Sequence, residues 1–428
     1  MNKSTFLKDT IIYSITGVIV KASSFLIIPF LTRNLSIKEY GSLELLITIY
    51  SLLIPIFMLN INEGQLRFGI EEGDLYKKLS IISSTYSLLK FPVILIIIGN
   101  IILFTVSLFF QSLNNSFYLV FSLAIVFEAV KIIFLNSFRV LNNFFTFFLS
   151  ELIFSFSFVL LIIVSSTYFD MNKMSYFYCI ICSNFLSLIF LYTMRKINKY
   201  DLGKSDKIIK RNILLFSLPL IPNTILWWIV ATSDRLIVTY FLGVAATGIF
   251  SVAMKIPSMF SVMYSFVLKG WQNQLYGSSS LIDLKRKSKI FVFILSLIFI
   301  IVYLFSLLFG KEVISVLFGE KYISSYTIFP TLVLSSYFMC MTSFLGAELM
   351  KMKKTKFILY SSLISATLNI AFNVTLIPLL GLSGAAYSTL TASLVLVYLR
   401  LIKIQLIDMK KTLFLITFIL YVSNFFIL

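Results

Sequence analysis

Histidine is missing from all 428 residues, cysteine occurs three times, and charged side chains make up only 13% of the chain. Each shortage closes a class of function. Without histidine, any proton relay must run through carboxylates, and no metal, cofactor or catalytic residue is assigned. Cys179 and Cys182 have redox spacing but lie inside an apolar run with no thioredoxin-like unit around them, so they read as packing residues. Gly243 to Gly248 lacks the Lys-Ser/Thr of a phosphate loop. The segments expected outside the membrane are all short, which leaves no room for the catalytic loop of a membrane polymerase or ligase. A cleavable signal peptide is not expected: Met1 to Asp9 is short and basic, and the run after it is too long and lacks a small-residue cleavage site.

What the chain does contain is oil. Hydrophobic residues make up 59% and aromatic residues 16%, and the mean hydropathy is +0.97. No water-soluble domain carries this without exposing apolar surface, so the sequence reads as a polytopic membrane protein. The net charge of +18 does not indicate nucleic acid, because the basic residues sit between the apolar runs and form no basic domain.

A membrane crossing takes ~20 apolar residues. On that rule helices are expected at 11–31, 40–61, 81–110, 116–138, 144–165, 174–194, 213–241, 246–268, 290–309, 326–350, 357–380 and 383–402. A last run, Thr412 to Leu428, is either a thirteenth span or an interfacial helix. With the N-terminus cytoplasmic, 25 of the 36 Lys and Arg fall on inner segments and five on outer loops. That is the asymmetry short cytoplasmic loops show.

An internal repeat appears at an offset of 207 residues. LSIKEYGSL at 35–43 matches LGVAATGIF at 242–250, aligning Gly41 with Gly248. The expected fold is therefore all-α, with two six-helix bundles around a central cavity. The first bundle covers 1–194, a basic linker 195–211, the second bundle 212–406, and an extra hydrophobic segment 407–428. Repeats of this kind place a substrate route between the halves.

Charges inside apolar runs are the candidate site residues, because each costs at least ~2.5 kcal/mol at the bilayer centre. The stretch Asn212 to Pro257 is the densest, with Asp234, Arg235 and Lys255. Lys21, Lys90, Lys131, Arg235 and Lys255 form a candidate cationic lumen, with Lys269 nearer an interface. The bland reading is that some snorkel or neutralise nearby acids. Glu44, Glu128, Asp234 and Glu348 are candidate ion-coupling groups or charge partners; Glu151 also lies in an apolar run. Glu128 and Lys131 share a helix face. Asp234 and Arg235 point about a third of a turn apart, so each needs a partner on another helix. Pro219 and Pro222 mark a candidate hinge, since each removes a backbone donor. Trp227 and Trp228 suit sugar stacking or helix packing, and Asn223, Asn369 and Asn373 suit lining a route or joining helices.

Three stretches carry a resemblance. SDRLIVTYFLGVAATGIFSVAMKIP, NIAFNVTLIPLLGLSGAAYSTLTA and the opening IIPFLTRNLSIKEYGSLELL resemble the polysaccharide-transporter branch of the multidrug/oligosaccharidyl-lipid/polysaccharide exporter superfamily. The resemblance covers nearly the whole chain. It is similar above all to bacterial O-antigen flippases, which implies transfer of an undecaprenyl-pyrophosphate-linked oligosaccharide across the inner membrane by alternating access, in the service of lipopolysaccharide or a related surface polysaccharide. The partners so implied are that lipid-linked oligosaccharide, membrane lipids, a polysaccharide polymerase and a chain-length regulator. A multidrug efflux antiporter on the same fold is the alternative, though its lumen should be more acidic or more apolar.

Overall fold

The computed structural model describes residues 16–109, 115–200, 203–277 and 281–404. Both the segment 412–428 and the opening Met1 to Asp9 lie outside them, as do the side chains of Trp227 and Lys269. No strand occurs among the described residues. A chain this apolar can satisfy its backbone in lipid only within helices or a closed barrel, and its runs are helical in length.

In chain order the helices are α1 (Thr16–Asn34), α2 (Ile37–Phe57), α3 (Ile61–Glu71), α4 (Leu75–Phe109), α5 (Asn115–Val140), α6 (Phe144–Tyr168) and α7 (Lys173–Ile197). They continue with α8 (Lys207–Ser217), α9 (Leu220–Leu242), α10 (Val244–Gly277), α11 (Leu281–Phe318), α12 (Phe329–Lys351), α13 (Thr355–Leu380) and α14 (Leu382–Lys403). A 3-10 turn, Glu320–Thr327, precedes α12. Among the described residues eleven of these helices are long and apolar enough to cross a membrane, and α9 lies within the one remaining expected span, 213–241.

Several helices run past the ends that hydropathy gives, among them Leu75–Phe109 and Leu281–Phe318, and two of the differences have a clear local reason. The second span starts at Ile37 rather than 40, because Ser36 and Glu39 close a capping box: the Glu39 N–H donates to Ser36 Oγ at 3.2 Å and the Ser36 N–H to Glu39 Oε2 at 2.9 Å. It ends at a left-handed turn, Leu59 and Asn60, after which α3 runs separately. The expected single helix over 213–241 is two helices. Asp206 caps α8 by accepting from the Ile208 N–H at 2.6 Å, and α8 stops before Pro219, which has no N–H to continue it. Pro222 then falls in the first turn of α9, where a missing donor costs little.

Contacts divide the chain into two units. One comprises residues 1–35 and 46–231, the other 36–45 and 232–428. The basic stretch after α7 belongs by contact to the first: Ser80 Oγ donates to the Lys204 carbonyl at 2.9 Å, and the Asp206 N–H to Ser84 Oγ at 3.0 Å. The core of that unit gathers Met58, Ile61, Ile81, Leu89, Ala129, Ile133 and Ile213. In the second unit α12 is the central helix, 89% of its span window being buried. Val238, Phe250, Ala253, Leu332, Ile377 and Ala385 pack together there.

The second unit also contains the repeat's own contact. A Cβ on Gly41 would stand 2.0 Å from the Val244 carbonyl oxygen, and one on Gly248 would stand 2.6 Å from that of Ile37. Residues 37 and 244 are themselves related by the 207-residue offset, so the two contacts are reciprocal. Reciprocity is what a two-fold relation between equal segments produces.

Candidate functional site

The charged residues gather in three clusters, each inside one unit. In the first unit α1, α5 and α6 enclose a cleft of about 430 Å³, whose polar lining includes Lys21, Glu128, Lys131, Asn136, Arg139 and Glu151. Lys131 is 3% exposed. Its Nζ lies 3.3 Å from Glu151 Oε1 and 3.8 Å from Glu128 Oε1, and 3.6 Å from the centre of the Phe154 ring. The pair expected from the 128/131 spacing is thus present, and a second carboxylate joins it. Glu128 Oε2 accepts in turn from Asn184 Nδ2 at 2.8 Å. Two acids spend the Lys131 charge, whereas Lys21 is exposed and forms no ion pair among the described residues.

Arg139, in the last turn of α5, lines the same cleft. Its Nη1 donates to Asn136 Oδ1 at 3.2 Å and its guanidinium lies over the Phe147 ring. A signal for it existed: residues 128, 131, 135 and 139 recur at three and four, the spacing of one helix face. The cleft then holds three cations and two carboxylates. Lys90 is exposed and does not line it.

The second cluster lies where α2 meets α10. Glu44 is 2% exposed. Its Oε1 is 2.7 Å from Lys255 Nζ and accepts from the Tyr40 hydroxyl at 2.8 Å. The charge of Arg235 also acts on Glu44, and Tyr322 packs edge-on against Tyr40. Desolvating a carboxylate to this degree is tolerable only with such partners.

The third cluster surrounds Asp234. Asn373 Nδ2 donates to its Oδ1 at 2.5 Å, and the Thr389 hydroxyl to its Oδ2 at 2.9 Å. Asn373 Nδ2 also reaches Asn369 Oδ1 at 3.1 Å, while Asn373 Oδ1 is buried with no donor. No cation stands within 4 Å of Asp234 among the described residues. Asn373 thus joins α13 to Asp234 on α9, and the charge of Arg235 acts on both Asp234 and Glu44. Glu348 is a further lone acid, fully buried, accepting from Ser288 Oγ at 3.0 Å with its Oε2 unpartnered.

Other candidates resolve as packing. Trp228 Nε1 donates to the Thr48 carbonyl and to Ser51 Oγ, both at 3.1 Å, so this indole ties α9 to α2. Cys179 is buried, and it and Cys182 are free thiols.

Long apolar helices carrying buried, paired charges inside each unit define a polytopic membrane transporter fold. The match is explicit in solved structures. A multidrug resistance MATE family transporter of the MOP superfamily, inward-facing, superposes with a TM-score of 0.63 at 13% identity, covering 97% of this chain and 95% of that one. A MOP superfamily transporter from Pyrococcus furiosus gives 0.62 at 12% identity over 97% and 96%. The lipid II flippase MurJ, in an inward closed conformation, gives 0.60 at 14% identity over 98% and 97%. At these identities the likeness is one of fold. Within that fold the chain belongs to the polysaccharide biosynthesis protein family, whose model matches residues 6–270. No curated protein matches the sequence.

Proposed function

We propose that the protein is a flippase that moves an undecaprenyl-pyrophosphate-linked oligosaccharide from the cytoplasmic to the periplasmic leaflet of a bacterial inner membrane, its N-terminus cytoplasmic. The observation that carries this reading is the cleft in the first unit. A diphosphate needs cations inside an apolar protein, and Lys21 and Arg139 line a space of about 430 Å³ in which Lys131 is already neutralised. An arginine there can grip phosphate bidentately and a lysine can add a point charge. The family's role in polysaccharide biosynthesis supports the same substrate class.

Asp234 supplies the coupling in this proposal. With Asp234 and Glu44 ionised, their charges balance Arg235 and Lys255. Loading Asp234 with a proton or a small monovalent cation leaves a surplus of one positive charge beside Arg235, which favours an anionic substrate. Ion and substrate then bind with a shared free energy, the requirement for coupled transport. Pro219 and Pro222, at the break between α8 and α9, are the proposed hinge.

The test is a deletion strain complemented with variants. Loss of the protein should leave lipid-linked oligosaccharide untranslocated and the surface polysaccharide absent. Lys21→Ala, Arg139→Ala and Arg235→Ala should each reproduce that defect at normal protein level. Normal surface polysaccharide with raised sensitivity to cationic dyes would instead identify a drug exporter.

A further inference from the structure

The cleft of the first unit differs in chemistry from one end to the other. Its α5 wall runs from Arg139, in the last turn of that helix, back to Glu128, which is roughly 16 Å along the axis at ~1.5 Å per residue. At the Arg139 end the guanidinium lies over the Phe147 ring and donates to Oδ1 of Asn136, a side chain only 5% exposed. This end offers donors and positive charge.

The Glu128 end offers acceptors. Glu128 Oε2 accepts at 2.8 Å from Asn184 Nδ2, an amide that is fully buried and so holds the carboxylate in place. Lys131 stands 3.8 Å from Glu128 but 3.3 Å from Glu151, so Glu151 is the lysine's nearer partner. Glu128 is also the more open of the two acids, its side chain 18% exposed against 10%. An ionised carboxylate has about four acceptor sites, and one amide with one distant ammonium leaves Glu128 room for donors that enter the cleft.

The substrate proposed above has three parts, and one of them suits this end. Carboxylates repel a diphosphate, and a polyprenyl tail gains nothing from a charged wall. A sugar brings neutral donors, its hydroxyl and acetamido N–H groups, and it is joined directly to the diphosphate. The α5 wall is long enough to seat both. Resting on the transport reading, we propose that the Glu128 end of the cleft is a sugar subsite: the carboxylate accepts from the first sugar while Arg139 holds the diphosphate. Asn184 and Asn136 are positioning residues, each fixing one of the two charged groups.

The purified full chain in detergent is titrated with three undecaprenyl diphosphate diesters of equal charge, capped by N-acetylglucosamine, galactose or a methyl group, and read by native mass spectrometry. Wild type should hold at least one sugar-capped lipid about tenfold more tightly than the methyl-capped one. Glu128→Gln keeps the shape and leaves Lys131 to Glu151. It should bring the preference close to parity while the methyl-capped lipid still binds. Arg139→Ala should weaken all three lipids alike and leave the preference intact. Equal binding of the three by wild type, or a preference that survives Glu128→Gln, would overturn the sugar subsite and leave the transport reading standing. Failure of every diphosphate lipid to bind would end both. Should Glu128→Gln instead abolish a magnesium-dependent binding common to all three, the carboxylate holds a cation and the subsite proposal falls.

Discussion

Replacing Lys255 with methionine tests whether the second unit depends on its buried ion pair. Lys255 Nζ is 2.7 Å from Glu44 Oε1, and the two side chains are only 21% and 3% exposed. Methionine keeps most of the stem's volume but takes the ammonium away from Glu44, to which the Tyr40 hydroxyl still donates. Breaking a buried pair on one side typically costs about 3–5 kcal/mol, much of it the desolvation of the charge left behind. For a unit of roughly 200 residues this is a fall in Tm of about 6 °C or more. The double change Glu44→Gln with Lys255→Met removes both charges, and should recover most of that loss. Thermal unfolding of wild type, the single variants Lys255→Met and Glu44→Gln, and the double variant in one detergent completes the cycle. If Lys255→Met melts within 1–2 °C of wild type, about the margin set by ±0.5 kcal/mol surface changes, or if the double variant melts no higher than the single one, the pair does not hold α2 to α10.

Gly41→Ala and Gly248→Ala should each abolish folded protein in the membrane fraction, since each Cβ meets a backbone carbonyl at 2.0 or 2.6 Å; Gly99→Ala, with open space around it, should accumulate normally. Gly346→Ala places a Cβ 2.7 Å from Arg400 Nη1, which donates to the Thr342 carbonyl, so a drop of about 1–3 kcal/mol in stability is expected and is read by thermal unfolding. Asp234→Asn keeps the shape but imitates the loaded state, so reconstituted vesicles should still bind lipid-linked oligosaccharide while transport no longer responds to an ion gradient. A gradient response equal to wild type would remove Asp234 from coupling.

Span count and helix type were legible because both follow from a one-dimensional quantity, the length of apolar runs. The repeat was legible too: the 207-residue offset aligned Gly41 with Gly248 and Ile37 with Val244, and those four residues make the reciprocal contact. Helix ends were less so, because the Ser36–Glu39 box and the Pro219 stop act through backbone hydrogen bonds that hydropathy ignores. Among the charges, partners on one helix could be read from spacing, as Glu128 and Lys131 were. Partners on different helices could not: Glu151 completes the Lys131 site from α6, and Glu44 meets Lys255 from more than 200 residues away.

This difference alters how a charged residue in an apolar run should be weighed. Six cations were candidates for a passage, but a buried cation has to be compensated wherever it lies. Lys131 and Lys255 are each compensated by carboxylates of their own unit, which makes them positioning residues in the transport proposal. Lys21 and Arg139, lining the cleft beside an already neutral Lys131, carry its surplus charge. The charge of Arg235 acts on both Glu44 and Asp234. The acids, more than the cations, decide where an anion can be held: two of them satisfy Lys131, one satisfies Lys255, and Asp234 is held by neutral donors, with no cation within 4 Å among the described residues. A carboxylate so placed is where a proton or cation gains most by binding, because no fixed charge in direct contact competes for it.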